Sequence, residues 1–528
     1  MQDLTLENQC KNAVKINEDN LFQLLDDNKN TSFGQMHGFS KINTIEEFRQ
    51  NVPLTKYSYY RSYIESMRSG VENVLTSYPL AGYCKTSGTE GNIKFIPVTY
   101  ESLERYSDQS ERYPMYVLNQ TGGGKRLYIN IFRTDPGHRD GKALLFSELY
   151  NTWLYETGKL DISTQAGGQC FLFEKTKQNS LYAKVCIAFL TEDLVTIEAP
   201  FMYDILHFFS YMEKNWKKIL TNLREHNIPH QIELSKTIRD TILSFPVNEN
   251  RFNEIESECQ KGFKNIAKRL WKKMSLISGI SSRSYSAEDN ALKYYTGNIP
   301  HQHLCYCSSE CYIGTPISEN NFSYVLLPNN GFFEFLPYGR EDEGPLLPHE
   351  LKIGEQYEII VTNFSGFYRY RLGDIIKIID FCYESPVFEF AFRRDQAINI
   401  GGEKMTVCQL EEAVQRMRSN VNISTYCFGA STLNIPGFYF AVAVTDGDDD
   451  EKKYSELLDY ALSRVNEDYR DLRELSKLSP PRFFCVSNDH FDSIMNNHFS
   501  QHRHNKPVHV FKLASTESIL KEITSNET

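Results

Sequence analysis

The stretch Thr86-Ser-Gly-Thr-Glu-Gly-Asn-Ile-Lys94 combines three hydroxyl side chains, two glycines and a lysine. Apolar segments at 78–85 and 95–99 flank it, and each is long enough for a β-strand. A loop of this composition between two strands exposes backbone N–H and side-chain O–H groups, which suits an anion and most often a phosphate. It is not a Walker loop, because the order Gly-x4-Gly-Lys-Ser/Thr is absent and no helix signal follows. An ordinary hairpin turn is an equal alternative on this stretch alone.

The bulk composition limits the class of protein. A chain of 528 residues exceeds what one hydrophobic core supports, so we expect two or more domains. The net charge of −11 argues against a protein that binds nucleic acid through basic patches. The chain has no run of 18 apolar residues and no secretory signal at its N-terminus, and its 12 cysteines show no disulfide framework. We therefore expect a cytoplasmic protein with reduced thiols, without membrane or nucleic-acid partners.

The pattern of the chain changes near residue 392. Before that point the sequence predicts strands joined by turns, among them the pair 322–327 and 331–336, which a Pro-Asn-Asn turn should join as a hairpin. After it, predicted strands at 438–444 and 482–485 alternate with predicted helices. We therefore predict two domains, residues 1–391 and residues 392–528.

Three further motifs carry chemistry when they are taken with the opening loop. They are Ser308-Ser-Glu310, the run Arg369-Tyr-Arg-Leu-Gly-Asp374, and Lys506 near the C-terminus. Together and in this order, the motifs suggest adenylate formation. In that reaction a carboxylate attacks the α-phosphate of ATP and negative charge builds on the phosphoryl oxygens, which loop N–H groups, hydroxyls and a lysine can offset. Glu310 is of the type that holds Mg²⁺, and Asp374 is of the type that accepts from both ribose hydroxyls.

Each of these residues also has a purely structural interpretation. Glu310 would then be a strand-end carboxylate paired with an arginine, and Asp374 a turn aspartate. Arg369 and Arg371, which alternate along a predicted strand, would be salt-bridged structure. The residues alone leave these alternatives open.

The motifs, in this order, resemble the Gretchen Hagen (auxin-responsive) family of acyl acid–amido synthetases, which includes the auxin- and jasmonate-conjugating enzymes of plants. That family belongs to the firefly-luciferase-like adenylate-forming superfamily. The resemblance runs almost end to end. It is carried most specifically by Lys85-Thr-Ser-Gly-Thr-Glu-Gly91, Tyr306-Cys-Ser-Ser-Glu-Cys-Tyr312 and Phe367-Tyr-Arg-Tyr-Arg-Leu-Gly-Asp374.

The resemblance implies both a fold and an activity. The fold would be mixed α/β: a large N-terminal domain of β-sheets flanked by helices, with a β-barrel-like part, followed by a small mobile α+β domain. The enzyme would use ATP and Mg²⁺ to convert a small carboxylic acid into an acyl adenylate, and then transfer the acyl group to an amino-acid amine. We expect a monomer. An acyl-CoA-type ligase and a non-catalytic nucleotide- or acid-binding relative are the alternatives.

The resemblance also assigns site residues. The phosphates would be cradled by Thr86, Ser87, Gly88 and Thr89, with Lys94 in support. The nucleotide and Mg²⁺ would be contacted by Ser308, Ser309 and Glu310. Asp374 would bind the ribose, Arg394 would lie at the hinge, and Lys506 would be the mobile phosphate contact. Two positions depart from the family pattern. Glu90 adds a negative charge to the loop, and Lys506 directly precedes its proline in a histidine-rich context.

Overall fold

The computed structural model describes residues 6–87, 93–110, 120–129, 146–171, 179–280, 286–303, 305–317, 322–394, 398, 400, 403, 405–431, 436–446, 450–476, 478–498, 510 and 516–525. The helices among them are α1 Leu6–Lys11, α2 Ala13–Asn28, α3 Ser32–Met36, α4 Ile45–Asn51, α5 Tyr57–Arg68, α6 Tyr100–Ser110, α7 Phe146–Glu156, α8 Ser180–Leu190, α9 Met202–Arg224, α10 Lys236–Ser244, α11 Glu249–Gln260, α12 Ile266–Leu270, α13 Ser286–Thr296, α14 Val407–Met417, α15 Glu451–Val465, α16 Glu467–Glu474, α17 Asn488–His498 and α18 Thr516–Ser525.

Sixteen strands are found in the described part of the chain. They are β1 Leu80–Ser87, β2 Ile93–Thr99, β3 Lys125–Tyr128, β4 Leu194–Phe201, β5 Leu276–Ile280, β6 His301–His303, β7 Tyr306–Cys307, β8 Tyr312–Pro316, β9 Ser323–Leu326, β10 Gly331–Pro337, β11 Gln356–Asn363, β12 Tyr370–Cys382, β13 Ser385–Arg393, β14 Ile423–Ser431, β15 Phe438–Thr445 and β16 Arg482–Cys485. The mixed α/β fold predicted from the sequence is confirmed.

The chain separates into two compact units. The first contains the described residues up to Leu372 together with Ile376–Phe390, and the second contains Gly373–Ile375 and the described residues from Ala391 onward. The predicted functional division, with ATP and acyl-acid sites in residues 1–391 and a lid in residues 392–528, stays a prediction.

The first unit contains the hairpin β1–β2, a parallel sheet β3-β4-β5-β6 and most of a seven-stranded sheet. The seven strands follow the order β10-β11-β12-β13-β9-β8-β7, so β10 and β7 are the two edges. Among the described strands the expected barrel-like part is therefore an open sheet. One apolar core joins this sheet to the hairpin and to the N-terminal helices α2 to α5, and another lies around the parallel sheet.

The edge strand β10 is covered by helix α2. The Asn17 carboxamide donates to the Phe333 carbonyl at 3.1 Å and accepts from the Phe333 N–H at 2.7 Å. The Asn20 carboxamide donates to the carbonyls of Pro328 and Gly331, at 2.7 and 3.1 Å. These two asparagines therefore satisfy backbone groups that an uncovered sheet edge would leave exposed.

The predicted hairpin between 322–327 and 331–336 is wrong. Both strands form, as β9 and β10, but β9 pairs with β8 and β13 while β10 pairs with β11. The intervening Pro328–Asn330 is a 3-10 helix rather than a two-strand turn. A Pro-Asn-Asn signal reports a change of direction, but it carries no information about which strand the next one joins.

Local signals in the first unit were more informative. Thr44 followed by Glu47 is a sequence pattern typical of a capping box, and half of that box forms. The Thr44 side chain accepts from the Glu47 N–H, but the Glu47 carboxylate accepts from the Asn43 N–H at 2.7 Å rather than from the Thr44 N–H. The apolar pattern over 252–273 predicts one continuous helix, but the structure has two helices there, α11 and α12. Gly262 and Asn265 lie between them with φ of 88° and 57°, and a continuous right-handed helix cannot contain such residues.

The second unit is built on the three-stranded sheet β14-β15-β16. Strand β15 pairs antiparallel with β14 and parallel with β16, and the crossover between β15 and β16 contains helices α15 and α16. Apolar cores lie on both faces, one with α14 and α15 and one with α17 and α18. The α+β character predicted for this part of the chain is confirmed. Among the described residues, no helix combines the length and apolar character required to cross a membrane.

A buried lysine in the first unit gives a stability prediction. Lys184 of α8 is 2% exposed, and its Nζ donates to the Tyr128 carbonyl at 2.5 Å. Burial lowers the pKa of Lys184 from 10.5 to about 7. Between pH 7 and pH 10 the unfolded chain therefore binds more protons than the folded protein, so the free energy of unfolding contributed by this group rises with pH.

We expect this pH dependence to disappear in Lys184→Met. Between pH 7 and pH 9 the wild type should gain about 1–2 kcal/mol relative to that variant, because each pH unit is worth about 1.4 kcal/mol at most. Urea titrations at both pH values measure the difference. The exposed Lys218→Met is the matched control and should follow the wild type. If the free energy of unfolding changes equally with pH in the wild type and in Lys184→Met, the lowered pKa of Lys184 is contradicted.

Candidate active site

The β1–β2 hairpin carries the loop on which the sequence analysis began. Thr86 lies opposite Lys94 and Ser87 opposite Ile93, so both strands run further toward the loop than the apolar segments predicted. Thr86 and Ser87 are thus strand residues. Gly88, Thr89 and Glu90 lie outside the described residues, and their predicted part in a phosphate cradle stays a prediction.

Lys94 lies near the loop end of this hairpin, beside helix α5. Its Nζ lies 5.4 Å from the centre of the Tyr57 ring. The Tyr57 hydroxyl accepts from the Phe95 N–H at 2.7 Å and donates to the Phe95 carbonyl at 3.2 Å. The guanidinium of Arg68 lies 3.7 Å from the centre of the Phe95 ring. Helix α5 therefore fixes the start of β2, and the predicted role of Lys94 as a supporting phosphate contact stays a prediction.

The Ser308–Cys311 segment forms a tight turn between β7 and β8. The Ser308 N–H donates to the Cys311 carbonyl at 2.9 Å, and the Ser308 hydroxyl oxygen accepts from the N–H groups of Glu310 and Cys311, each at 3.2 Å. Ser308, predicted as a nucleotide contact, thus has an observed role inside the turn. Ser309 and Glu310 are at the tip, and both are partly buried.

Among the described residues, one donor binds the Glu310 side chain. The Tyr370 hydroxyl donates to Glu310 Oε1 at 3.1 Å, and the Asn363 carboxamide donates to the Glu310 main-chain carbonyl at 2.6 Å. No arginine, lysine or histidine of the described residues forms an ion pair with Glu310. The structural alternative, a carboxylate paired with an arginine, is therefore not what the described residues show.

Arg369 and Arg371 form salt bridges, as their structural interpretation predicted. Arg369 binds Glu334 through Nε and Nη2, at 2.9 and 3.2 Å, and Arg371 binds Glu358 through Nε and Nη2, at 3.1 and 2.6 Å. Both glutamates are buried, each 1% exposed. These arginines are salt-bridged parts of the sheet, and they hold the strand that presents Tyr370.

Asp374 belongs to the second unit and lies within a strand. Gly373, with φ of 79°, lies inside this strand, which continues to Cys382, so Asp374 is not the turn aspartate of its structural interpretation. Asp374 Oδ1 lies 3.6 Å from Nη1 of Arg393, the last residue of β13. Arg394 follows directly, and Lys506 lies outside the described residues. The roles predicted for Asp374, Arg394 and Lys506 stay predictions.

Sequence reasoning missed two residues of this site, Asn363 and Tyr370. The Asn-Phe-Ser-Gly sequence at 363–366 predicts a turn, but nothing local connects it to Glu310. Tyr370 stood inside the quoted Arg369–Asp374 run without a role. Only the pairing of distant segments brings both residues to Glu310.

Comparisons with known proteins agree with the predicted family. Three family models match in order: the GH3 family N-terminal domain over residues 4–301, the central domain over 324–393 and the C-terminal domain over 408–512. The chain is 27% identical to the indole-3-acetic acid-amido synthetase GH3.17 of Arabidopsis thaliana, covering 93% of this chain and 89% of that protein. It is also 27% identical to the jasmonoyl-L-amino acid synthetase JAR4 of Nicotiana attenuata, covering 84% and 81%.

Solved structures extend the likeness to the fold. The GH3.15 acyl acid amido synthetase matches with a TM-score of 0.83 and 25% identity, over 98% of this chain and 95% of that one. A 2-hydroxyisobutyryl-CoA ligase in its postadenylation state matches with a TM-score of 0.53 at 9% identity, over 98% and 91%, which is a likeness of fold alone. Because the N-terminal domain model by itself matches residues 4–301 of 528 and the other two models follow it in order, the chain belongs to the GH3 family.

Proposed function

We propose that this GH3-family chain is a ligase, an ATP-dependent acyl acid–amido synthetase. It adenylates a small carboxylic acid and then transfers the acyl group to the amine of an amino acid. Its relatives GH3.17 and JAR4 are named as amido and amino acid synthetases, which supports this class of reaction. The main structural observation in support of this site concerns Glu310. Among the described residues, its carboxylate accepts a hydrogen bond from a neutral donor and has no cationic partner.

The reaction has two balanced steps. First, a carboxylate oxygen of the acid bonds to the α-phosphorus of ATP, and the bond from that phosphorus to the leaving pyrophosphate oxygen breaks. Second, the amine nitrogen bonds to the acyl carbon, AMP leaves with the electron pair of the acyl–oxygen bond, and the amine loses a proton to water. Both steps move negative charge on phosphate oxygens, so fixed donors and cations around those oxygens lower the barrier.

The Glu310 turn fits a magnesium ion bound together with the nucleotide. Mg²⁺ in nucleotide sites is commonly held by one or two carboxylates plus substrate phosphates rather than by an all-protein cage. The described residues accordingly contain no group of three or more histidine, cysteine, aspartate or glutamate side chains gathered as a metal site. When bound, Mg²⁺ would neutralise phosphate charge, and Glu310 is the residue that would hold it.

Family membership supports the remaining assignments. Contacts to the nucleotide are proposed for Thr86, Ser87, Gly88, Thr89, Lys94, Ser309, Asp374 and Arg394, with Lys506 as a catalytic contact from residues 392–528 acting as a lid. A nucleotide contact is proposed for Ser308 as well, in addition to its bonds within the turn. A cytoplasmic location and a monomeric state complete the proposal.

ATP–pyrophosphate exchange with a panel of small carboxylic acids tests the proposal. We expect acid-dependent exchange, and after addition of amino acids a conjugate that mass spectrometry identifies as the amide. Formation of a CoA thioester instead, on addition of CoA, would point to the acyl-CoA-type alternative. Absence of exchange with every acid, in a protein that still binds ATP, would contradict the enzyme and leave a non-catalytic binding relative.

A further inference from the structure

Glu310 is held at two points by one segment of the first unit. Asn363 ends strand β11 and donates to the Glu310 carbonyl at 2.6 Å, while Tyr370 begins strand β12 and donates to the Glu310 carboxylate at 3.1 Å. The first contact fixes the backbone of the turn and the second fixes the direction of the side chain. Residues 363–370 therefore set the position of Glu310 without belonging to its own turn.

The Asn363 contact is rigid because its carboxamide also closes the turn that follows β11. Asn363 Oδ1 accepts from the N–H groups of Ser365 and Phe367, each at 3.0 Å, and the Asn363 N–H donates to the Phe367 carbonyl at 2.9 Å. Gly366 has φ of 96°, and a Cβ there would lie 2.7 Å from the Leu75 Cβ. With its oxygen committed to this turn, the carboxamide presents its N–H group to Glu310 in one orientation.

The Tyr370 contact is fixed by packing. The residue is 3% exposed, and its ring centre lies 4.7 Å from that of Phe367 and 6.1 Å from that of Tyr60. On the other side of the strand, Thr55 donates to the Arg369 carbonyl and accepts from the Arg371 N–H. A buried ring in this setting has little freedom, so its hydroxyl is preorganised toward Glu310.

Both donors are electrically neutral. An arginine or lysine beside Glu310 would bind the carboxylate and compete with a divalent cation for it. The two arginines that flank Tyr370 are committed to Glu334 and Glu358 instead. Carboxylates that hold metals are typically oriented by hydrogen bonds from a surrounding shell, and loss of such a partner typically costs about 10- to 100-fold in metal affinity or activity.

We propose that Tyr370 and Asn363 are positioning residues that orient Glu310 to receive a divalent cation bound with the nucleotide. The inference rests on the proposed adenylating function for the identity of the nucleotide. Tyr370 acts through its hydroxyl on one carboxylate oxygen, and within the described part of the chain no residue donates to the other oxygen. Asn363 acts on the peptide that carries the side chain.

The direct test measures cation binding and does not require turnover. Mn²⁺ is titrated into the full chain with a non-hydrolysable ATP analogue, and the free Mn²⁺ signal is followed by electron paramagnetic resonance. We expect the apparent Kd for Mn²⁺ to rise about 10-fold or more in Tyr370→Phe and in Asn363→Ala. Tyr368→Phe is the matched control, since it removes a buried hydroxyl of the same segment that donates to the Leu75 carbonyl and not to Glu310.

A kinetic measurement separates positioning from general destabilisation. In ATP–pyrophosphate exchange, the Mg²⁺ concentration for half-maximal rate should rise in Tyr370→Phe, while the KM for the carboxylic acid stays within about twofold. In a Glu310→Gln background the same substitution should add little, because residues that act through one another are not additive. If Asn363→Ala does not fold, Tyr370→Phe carries the test alone.

The outcomes distinguish the positioning role of Tyr370 and Asn363 from the proposed adenylating reaction. Unchanged Mn²⁺ affinity in Tyr370→Phe overturns the positioning role, even if the wild type catalyses exchange. Mn²⁺ binding that falls in Tyr370→Phe but not in Tyr368→Phe, without exchange by the wild type, supports the positioning role and contradicts the proposed reaction. A wild type that binds no Mn²⁺ with the analogue overturns the positioning role as well.

Discussion

The Glu310→Gln variant is expected to lose about 100- to 1,000-fold of its ATP–pyrophosphate exchange rate while folding as the wild type does. Removal of one preorganised electrostatic contact to a transition state typically costs this much. The amide oxygen of glutamine can still accept from Tyr370, and the bonds from Asn363 and to Ser308 use only the main chain of residue 310. The substitution therefore removes the charge and keeps the turn.

Exchange rates at saturating acid, together with thermal unfolding midpoints, measure both halves of this expectation. Glu343→Gln is a suitable control, because Glu343 is exposed and is paired with the exposed Arg340. The control should keep its exchange rate. A Glu310→Gln rate within about threefold of the wild type would contradict the metal-holding role of Glu310. It would also remove the functional explanation for the neutral donor that Tyr370 supplies.

Local elements of the first unit could be predicted well from the sequence. The N-cap at Thr44 and the strands on both sides of the loop at 88–92 are specified by neighbouring residues, so propensity and turn chemistry are enough to find them. The family resemblance likewise rests on short contiguous runs. These features need no knowledge of which distant segments meet.

The contacts that make Glu310 special could not be predicted in this way. Tyr370 and Asn363 lie 60 and 53 residues from Glu310 in the sequence. Their meeting depends on the order of strands in the seven-stranded sheet, and the wrong hairpin predicted between β9 and β10 shows that local turn signals do not determine that order. The choice between a paired and an unpaired carboxylate was open for the same reason.

Arg369 illustrates the opposite case. Arg369 and Arg371 alternate along a predicted strand, and the sequence left open whether they are salt-bridged structure. The partner carboxylates, Glu334 and Glu358, lie on β10 and β11, whose side chains face the arginines only once the sheet has formed. The function of an arginine in a sequence motif therefore cannot be inferred until the structure shows which carboxylate, if any, it binds.

Substitution of Glu334 by glutamine is expected to lower the free energy of unfolding of the first unit by about 3–5 kcal/mol, because removing one partner of a buried ion pair leaves uncompensated buried charge. Glu334 is 1% exposed and binds both Arg369 and, through Oε1 at 2.9 Å, Arg49. The Arg369 guanidinium is buried as well, and its Nη1 donates to the carbonyls of Arg49 and Val52. Glutamine keeps the shape of the side chain but supplies no charge to offset these two guanidinium groups.

Urea unfolding followed by tryptophan fluorescence measures this loss selectively, because Trp153, Trp216 and Trp271 all lie in the first unit. Asp26→Asn is the matched control, because Asp26 also lies in the first unit. Asp26 pairs with the nearby Lys29, their side chains are 71% and 41% exposed, and such an exposed pair contributes about 0.2–1 kcal/mol. If Glu334→Gln costs no more than this control, water or a rearranged Arg49 must screen the buried charge, and the strand that presents Tyr370 is less constrained than its ion pairs imply.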